Sequence, residues 1–113
     1  MPPSGSASPD RGGWLRVGSM RELSRGGRVR VRSGAMDVIL VKCDDAVYAC
    51  DNTCAHQHVA MLHSGTLRGC LVTCPMHGWT FDVRTGLSTT GEGRIATYPV
   101  LVRGDGIFIR RDT

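Results

Sequence analysis

Short apolar stretches separated by turn-forming residues run along most of the chain. Residues 28–32 alternate arginine with valine, which predicts a strand with Val29 and Val31 on the core face and the arginines in water. Residues 38–41 are continuously apolar and mostly β-branched, as expected of a strand covered on both faces. Further strands are predicted at 14–17, 47–50, 67–73, 79–83, 95–102 and 107–109.

The spacing of these segments predicts an all-β fold. Helical periodicity is absent, the 15 glycines supply turns, and the segment 104–106 is a hairpin signal. We therefore expect a small antiparallel β-sandwich or barrel, in which residues 51–63 form an irregular loop.

At 113 residues the chain predicts one domain at 14–113, after a flexible tail at 1–13. The tail lacks the apolar core of a secretory signal, and no apolar run approaches the roughly twenty residues of a membrane helix. We expect a soluble, cytoplasmic protein with no membrane partner.

The formal net charge of +4 is unevenly distributed. Six arginines lie between Arg16 and Arg32 against Glu22 alone, while residues 43–67 contain three aspartates and no lysine or arginine. With only six aromatic residues there is little to form a nucleic-acid-binding face, so no nucleic-acid partner is expected.

Two short segments carry the candidate chemistry. The first is Cys54-Ala-His56, and the second, after seventeen intervening residues, is Cys74-Pro-Met-His77. Each offers one thiolate and one imidazole, so two loops could hold one inorganic centre between them. These four residues are the candidate metal ligands.

Two thiolates and two imidazoles suit either a tetrahedral zinc ion or a [2Fe-2S] cluster with cysteines on one iron and histidines on the other. Zinc fingers usually pair like ligands, whereas each segment here mixes them, which favours the cluster. Charge gives a reason for the mixture. With two neutral histidines the oxidised cluster carries no net charge, so it accepts an electron more readily than an all-cysteine cluster.

The two segments resemble those of the Rieske family, whose pattern is Cys-x-His followed by Cys-x-x-His. The similarity continues through residues 74–82 and Thr85-Gly86, and in looser form covers residues 14–110. It implies a small β fold with a cluster-binding loop subdomain. It also implies one [2Fe-2S] cluster, with Cys54 and Cys74 on a buried iron and His56 and His77 on the outer one.

The resemblance also bears on the reduction potential. High-potential members of the family carry an extra disulfide-bonded cysteine in each loop and place a serine and a tyrosine after the second loop. The corresponding positions here hold Val59, Met76, Trp79 and Phe81. Without those hydrogen-bond donors, we expect a potential near the bottom of the Rieske window of about −150 to +300 mV.

The functional expectation is an electron-transfer protein and not an enzyme. The chain resembles the soluble ferredoxins that carry single electrons from a flavin-dependent reductase to the terminal oxygenase of a ring-hydroxylating dioxygenase system, and it lacks room for an oxygenase's mononuclear-iron domain. An alternative is a small subunit of an NAD(P)H-dependent nitrite reductase. A structural zinc module that mediates protein contacts is an alternative of another class.

Five cysteines and histidines remain outside the ligand set. Cys43, Cys50 and Cys70 are interpreted as small buried apolar residues, since an odd number cannot all pair within the chain. This cysteine usage is taken to support a cytoplasmic location. His58 and His63 are interpreted as exposed loop residues near a partner-binding tip.

Overall fold

The computed structural model describes residues 13–34, 36–53, 62–75, 78–89 and 93–110. The predicted tail therefore lies outside the described residues except for Gly13. Cys54, His56, His58 and His77 also lie outside them.

Ten strands form within the described residues. They are β1 (Trp14–Ser19), β2 (Arg28–Ser33), β3 (Met36–Cys43), β4 (Ala46–Asp51), β5 (Thr66–Arg68), β6 (Leu71–Thr73), β7 (Thr80–Asp82), β8 (Thr97–Tyr98), β9 (Val100–Arg103) and β10 (Gly106–Arg110). They pair in antiparallel fashion into sheets of order β1-β10-β9, β2-β3-β4-β8 and β5-β6-β7. The antiparallel all-β architecture expected from the sequence is confirmed.

Strand β3 separates two apolar cores. Ile39 and Val41 face the first core, which includes Leu62, Val72, Cys74 and Phe81, while Val38 and Leu40 face the second, with Leu23, Ile107 and Ile109. All four strand residues are fully buried, which confirms the prediction of a strand covered on both faces. The first core joins the four-stranded sheet to the β5-β6-β7 sheet.

One α-helix contradicts the expectation of no helix. Helix α1 (Met20–Gly26) begins at Ser19, whose Oγ accepts a hydrogen bond from the Glu22 amide at 3.1 Å, and ends at Gly27, whose φ is 78°. Ser-x-x-Glu is the sequence pattern of a capping box, and glycine is the usual residue after a helix. The helix is too short to show apolar periodicity, so in the sequence it is indicated by the residues at its two ends.

The arginines of β2 depart from the predicted alternation. Val29 and Val31 pack against the second core as predicted, and Arg32 is exposed. Arg28 and Arg30, however, are half-buried and donate hydrogen bonds to Gly65 and Asp37. The prediction that these two arginines are exposed to water was wrong, because β2 lies beside residues 62–65.

Residues 62–64 form a short 3-10 helix within the segment expected to be an irregular loop. Neither it nor α1, the helices of the described ranges, has the length and apolar character needed to cross a membrane.

Candidate metal centre

The second ligand-bearing segment sits at the end of a short hairpin. Strands β6 and β7 pair through Val72 with Phe81 and Thr73 with Thr80, so Cys74 directly follows the last paired residue. The hydroxyls of Thr73 and Thr80 lie 2.8 Å apart and close the ladder at that point. The hairpin therefore fixes where Cys74 begins its loop.

Backbone hydrogen bonds close this loop on itself. The Cys74 amide donates to the Trp79 carbonyl at 2.7 Å, and the Gly78 amide donates to the Cys74 carbonyl at 3.0 Å. Gly78 has a φ of 77°, which a residue with a side chain adopts only with strain. His77 lies outside the described residues, but Cys74 and Gly78, which precede and follow it, are joined by a backbone hydrogen bond.

Cys74 is 1% exposed and belongs to the first core, together with Leu62, Val72 and Phe81. A thiolate in apolar surroundings needs a positive partner, because an isolated buried charge is costly. A bound metal ion would supply that charge, so the buried position of Cys74 is compatible with an iron ligand.

The chain that follows the first ligand-bearing segment lies beside the residue that precedes the second. Residues 54–61 lie outside the described residues, and the segment that follows them reaches Gly65. A Cβ on Gly65 would overlap the carbonyl oxygen of Thr73, and Arg28 Nη1 donates to the Gly65 carbonyl at 2.6 Å. The chain thus returns from the first segment into contact with the residue before Cys74.

The donor set as a whole fits an iron–sulfur cluster. Two thiolates and two imidazoles are the ligands of a Rieske centre, and the one described donor, Cys74, is buried. Within the described residues no group of three or more histidine, cysteine or acidic side chains could hold a metal ion. Cys54, His56 and His77 lie outside those residues.

His63 is not the exposed loop residue that the sequence predicted. It is partly buried in the 3-10 helix, and its ring nitrogens lie 3.0 Å from Asn52 Nδ2 and 3.3 Å from Arg30 Nη1. Burial, and then the charge of Arg30, lower the pKa of His63. The ring therefore favours the neutral state.

Sequence reasoning missed the polar group around His63. Arg30 forms a bidentate ion pair with Asp37, at 3.0 and 2.7 Å, and its hydrogen bond lowers the pKa of that carboxyl group. Asn52 is fully buried and bonded to both Asp37 and His63. In the sequence, the position of Asn52 beside a ligand-bearing segment is the signal for this group. The other members cannot be read from the sequence, because they come from β2, β3 and the 3-10 helix.

The structure pairs two of the cysteines that were interpreted as unpaired apolar residues. Cys43, at the end of β3, and Cys70, between β5 and β6, form a disulfide with their Cα atoms 5.5 Å apart. Both are buried as expected, but the pairing was not anticipated, because it crosses between two sheets. Disulfides are uncommon in the cytoplasm, so cysteine usage no longer supports that location.

Cys50 matches its interpretation as a small buried residue. It is fully buried in the first core, and burial, followed by the charge of Asp51, raises the pKa of its thiol to about 12. A thiol with such a pKa is almost wholly protonated at neutral pH.

Comparison with known proteins assigns the family. The Rieske [2Fe-2S] domain model matches residues 13–99. A curated relative, the ferredoxin component of the 2,4-dinitrotoluene dioxygenase system of Burkholderia sp. (strain RASC), is 34% identical over 101 residues, which cover 88% of this chain and 96% of the relative.

Solved structures agree with this assignment. The ferredoxin of carbazole 1,9a-dioxygenase from Nocardioides aromaticivorans IC177 superposes with a TM-score of 0.78 at 29% identity, covering 88% of this chain and 98% of that one. A chain from the complex of reduced oxygenase and oxidized ferredoxin in carbazole 1,9a-dioxygenase gives 0.77 at 29% identity, with 88% and 94% covered.

These findings favour one of the three functions considered from the sequence. The relatives are ferredoxin components, which are electron carriers and not catalytic subunits, and the matching family is defined by an iron–sulfur cluster. Neither a nitrite reductase subunit nor a zinc module is favoured by them. The chain belongs to the Rieske [2Fe-2S] family, as an electron-carrying ferredoxin component of the dioxygenase-system type.

Proposed function

We propose that residues 14–113 form a Rieske domain that binds one [2Fe-2S] cluster through Cys54, His56, Cys74 and His77. The observation that supports the proposal is the position of Cys74, which is buried at the end of the β6-β7 hairpin, next to the contact between Gly65 and Thr73. When bound, such a cluster accepts and releases one electron at a time.

The role of each ligand follows from its chemistry. The thiolates of Cys54 and Cys74 neutralise most of the charge of one iron, and burial of Cys74 keeps water from that side. The imidazoles of His56 and His77 bind the second iron as neutral donors. Neutral donors leave the oxidised centre without net charge, which raises the potential relative to four thiolates.

The potential belongs at the low end of the Rieske window. Trp79 and Phe81 occupy positions where high-potential members place hydroxyl donors, and Phe81 is fully buried while the Trp79 ring lies 6.3 Å from it. Phe81 has no polar hydrogen to offer a cluster sulfur, and fewer such hydrogen bonds stabilise the reduced state less. A potential near −150 mV, within roughly 100 mV, is expected.

The partners follow from the relatives. We place the protein in the cytoplasm, between a flavin-dependent ferredoxin reductase and the terminal oxygenase of a ring-hydroxylating dioxygenase system. The support is the kind of system in which the relatives are named as ferredoxin components. Nitrite reductase is not retained as an acceptor.

Single substitutions test the ligand set. Replacing Cys54, His56, Cys74 or His77 with alanine should abolish the red-brown colour and leave iron and sulfide below stoichiometry. His58→Ala and Cys50→Ala are the matched controls, since each removes the same side chain from outside the set, and both should retain two irons and two sulfides. A coloured His77→Ala protein with full iron content would refute the assignment.

Electron transfer needs its own assay. The purified protein should be reduced by a flavin-dependent ferredoxin reductase and should support turnover of a terminal oxygenase from a dioxygenase system. A cluster-containing protein that no such reductase reduces would contradict the proposed partners while leaving the ligand set standing.

A further inference from the structure

Four side chains meet at the base of the first ligand-bearing segment. Arg30 pairs with Asp37, Asp37 Oδ1 accepts from Asn52 Nδ2 at 3.1 Å, Asn52 Nδ2 lies 3.0 Å from His63 Nδ1, and His63 Nε2 lies 3.3 Å from Arg30. We call these four residues the Asn52 cluster. It connects β2 and β3 to the 3-10 helix.

Asn52 uses all of its polar groups in this arrangement. Its backbone amide donates to the Asp37 carbonyl at 2.8 Å, its own carbonyl accepts from the Leu62 amide at 3.1 Å, and its Oδ1 accepts from the His63 amide at 2.6 Å. With the two hydrogens of Nδ2 directed at Asp37 and His63, the amide is completely satisfied. No other side chain combines one acceptor and two donors at this length.

These bonds join the two ends of the segment that contains Cys54 and His56. Asn52 precedes Cys54 by two residues, while Leu62 and His63 are the first described residues after the segment. Two amides beyond the segment therefore bond to one residue before it. The residues on either side of the nine-residue stretch 53–61 are thus joined by the backbone and buried side chain of Asn52.

The contacts within the Asn52 cluster restrict the protonation state of His63. The two ring nitrogens of His63 face two donors, Asn52 Nδ2 and Arg30 Nη1. A neutral imidazole has one acceptor nitrogen, so only one of these two contacts is a hydrogen bond, and a doubly protonated imidazole would accept neither. Asp37 compensates the charge of Arg30 and is itself partly buried. The hydrogen bonds of the fully buried Asn52, to Asp37 and to the His63 amide, hold these residues together.

We infer that Asn52, acting with His63, is a positioning residue that fixes the first ligand-bearing segment for cluster binding. The inference rests on the proposed ligand set, because Asn52 would act on the cluster through Cys54 and His56. Asn52 is not itself assigned as a ligand. Its role is to hold the entry and exit of the segment at one separation.

A graded set of variants tests this role through cluster lifetime. Loss of cluster to an iron chelator should accelerate at least ~10-fold in Asn52→Ala, which removes three side-chain hydrogen bonds, and ~3-fold in His63→Leu. His63→Asn places an amide oxygen near the position of Nδ1 and should restore a rate within about twofold of the natural protein. The midpoint potential and the EPR line shape should shift in the same order.

Amide hydrogen exchange provides a readout that does not depend on the cluster. The segment containing Leu62 and His63 should exchange faster in Asn52→Ala and in His63→Leu, and at the natural rate in His63→Asn. Ser19→Ala is the control, since it removes one side-chain hydrogen bond from helix α1 in another part of the fold. It should leave both the exchange of this segment and the cluster lifetime unchanged.

The outcomes separate the two levels of the argument. If Asn52→Ala shows the same cluster lifetime and the same amide exchange as Ser19→Ala, the positioning role is overturned. If Asn52→Ala does not fold, the comparison of His63→Leu with His63→Asn decides, and equal lifetimes and exchange in those two variants would overturn it. A natural protein without iron would refute the proposed ligand set, while faster exchange in Asn52→Ala would still support closure of the segment by Asn52.

Discussion

Gly65 lies against the carbonyl oxygen of Thr73, so closely that a Cβ on Gly65 would overlap it. Gly65 follows the first ligand-bearing segment, and Thr73 directly precedes Cys74 of the second. The close approach of Gly65 to Thr73 therefore depends on the absence of a side chain at residue 65.

Gly65→Ala should destabilise the protein by about 1–3 kcal/mol, because backbone on one side or the other must move to relieve the overlap. Gly26→Ala is the matched control. No heavy atom lies within 4 Å of the added carbon there, and alanine at a helix position should be neutral or stabilising by up to about 1 kcal/mol. Urea unfolding measures both, and equal midpoints for the two variants would contradict the contact.

The Cys43–Cys70 disulfide closes 27 residues of chain between the β3-β4 hairpin and the β5-β6 turn. Replacing both cysteines with alanine should lower the free energy of unfolding by roughly 3–4 kcal/mol, because the unfolded chain regains the entropy of an open loop. Peptide mapping without reduction should find the two cysteines linked. Recovery of both as separately alkylated thiols would show that the bond is not formed.

Cys50 should resist alkylation in the folded protein. With a pKa of about 12, only about one thiol in ten thousand is ionised at pH 8, and the sulfur is fully buried. Iodoacetamide should label it only after unfolding, as read by mass spectrometry of the peptide. Labelling at the rate of an exposed thiol would contradict its burial.

His63 should contribute to a loss of stability in acid. Its pKa in the fold lies below the ordinary 6.5, so the fold favours the neutral ring. That contribution is fully present above pH 6.5 and is lost as the pH falls through the folded-state pKa. The lowered pKa of Asp37 acts in the same direction at still lower pH.

Comparison with His63→Asn isolates this effect, because the remaining groups titrate alike in both proteins. Between pH 7.5 and 5.5 the urea midpoint of the natural protein should fall more than that of His63→Asn. Parallel midpoints across this range would mean that His63 is not held neutral.

Much of the sheet architecture could be predicted because strands and turns leave local signals. The continuous apolar run at 38–41 and the hairpin at Gly104 and Gly106 correspond to β3 and to the β9-β10 turn. Helix α1 was missed because seven residues are too few to show periodicity, although Ser19 and Gly27 mark its ends.

The interactions that support the candidate centre could not be predicted in the same way. Arg30, Asp37, Asn52 and His63 form one network only because β2, β3 and the 3-10 helix meet in space. The Cys43–Cys70 pair likewise depends on how two sheets pack. Such contacts depend on tertiary structure, and no spacing rule in one sequence specifies them.

The most direct test of the central claim is an anaerobic redox titration of the purified protein, followed by visible absorption and EPR. A [2Fe-2S] centre with two cysteine and two histidine ligands predicts one electron per chain, two irons and two sulfides, and a midpoint near −150 mV, within roughly 100 mV. A colourless protein containing a single zinc ion would contradict the cluster itself. A coloured protein with a midpoint well above zero would contradict the proposed low potential.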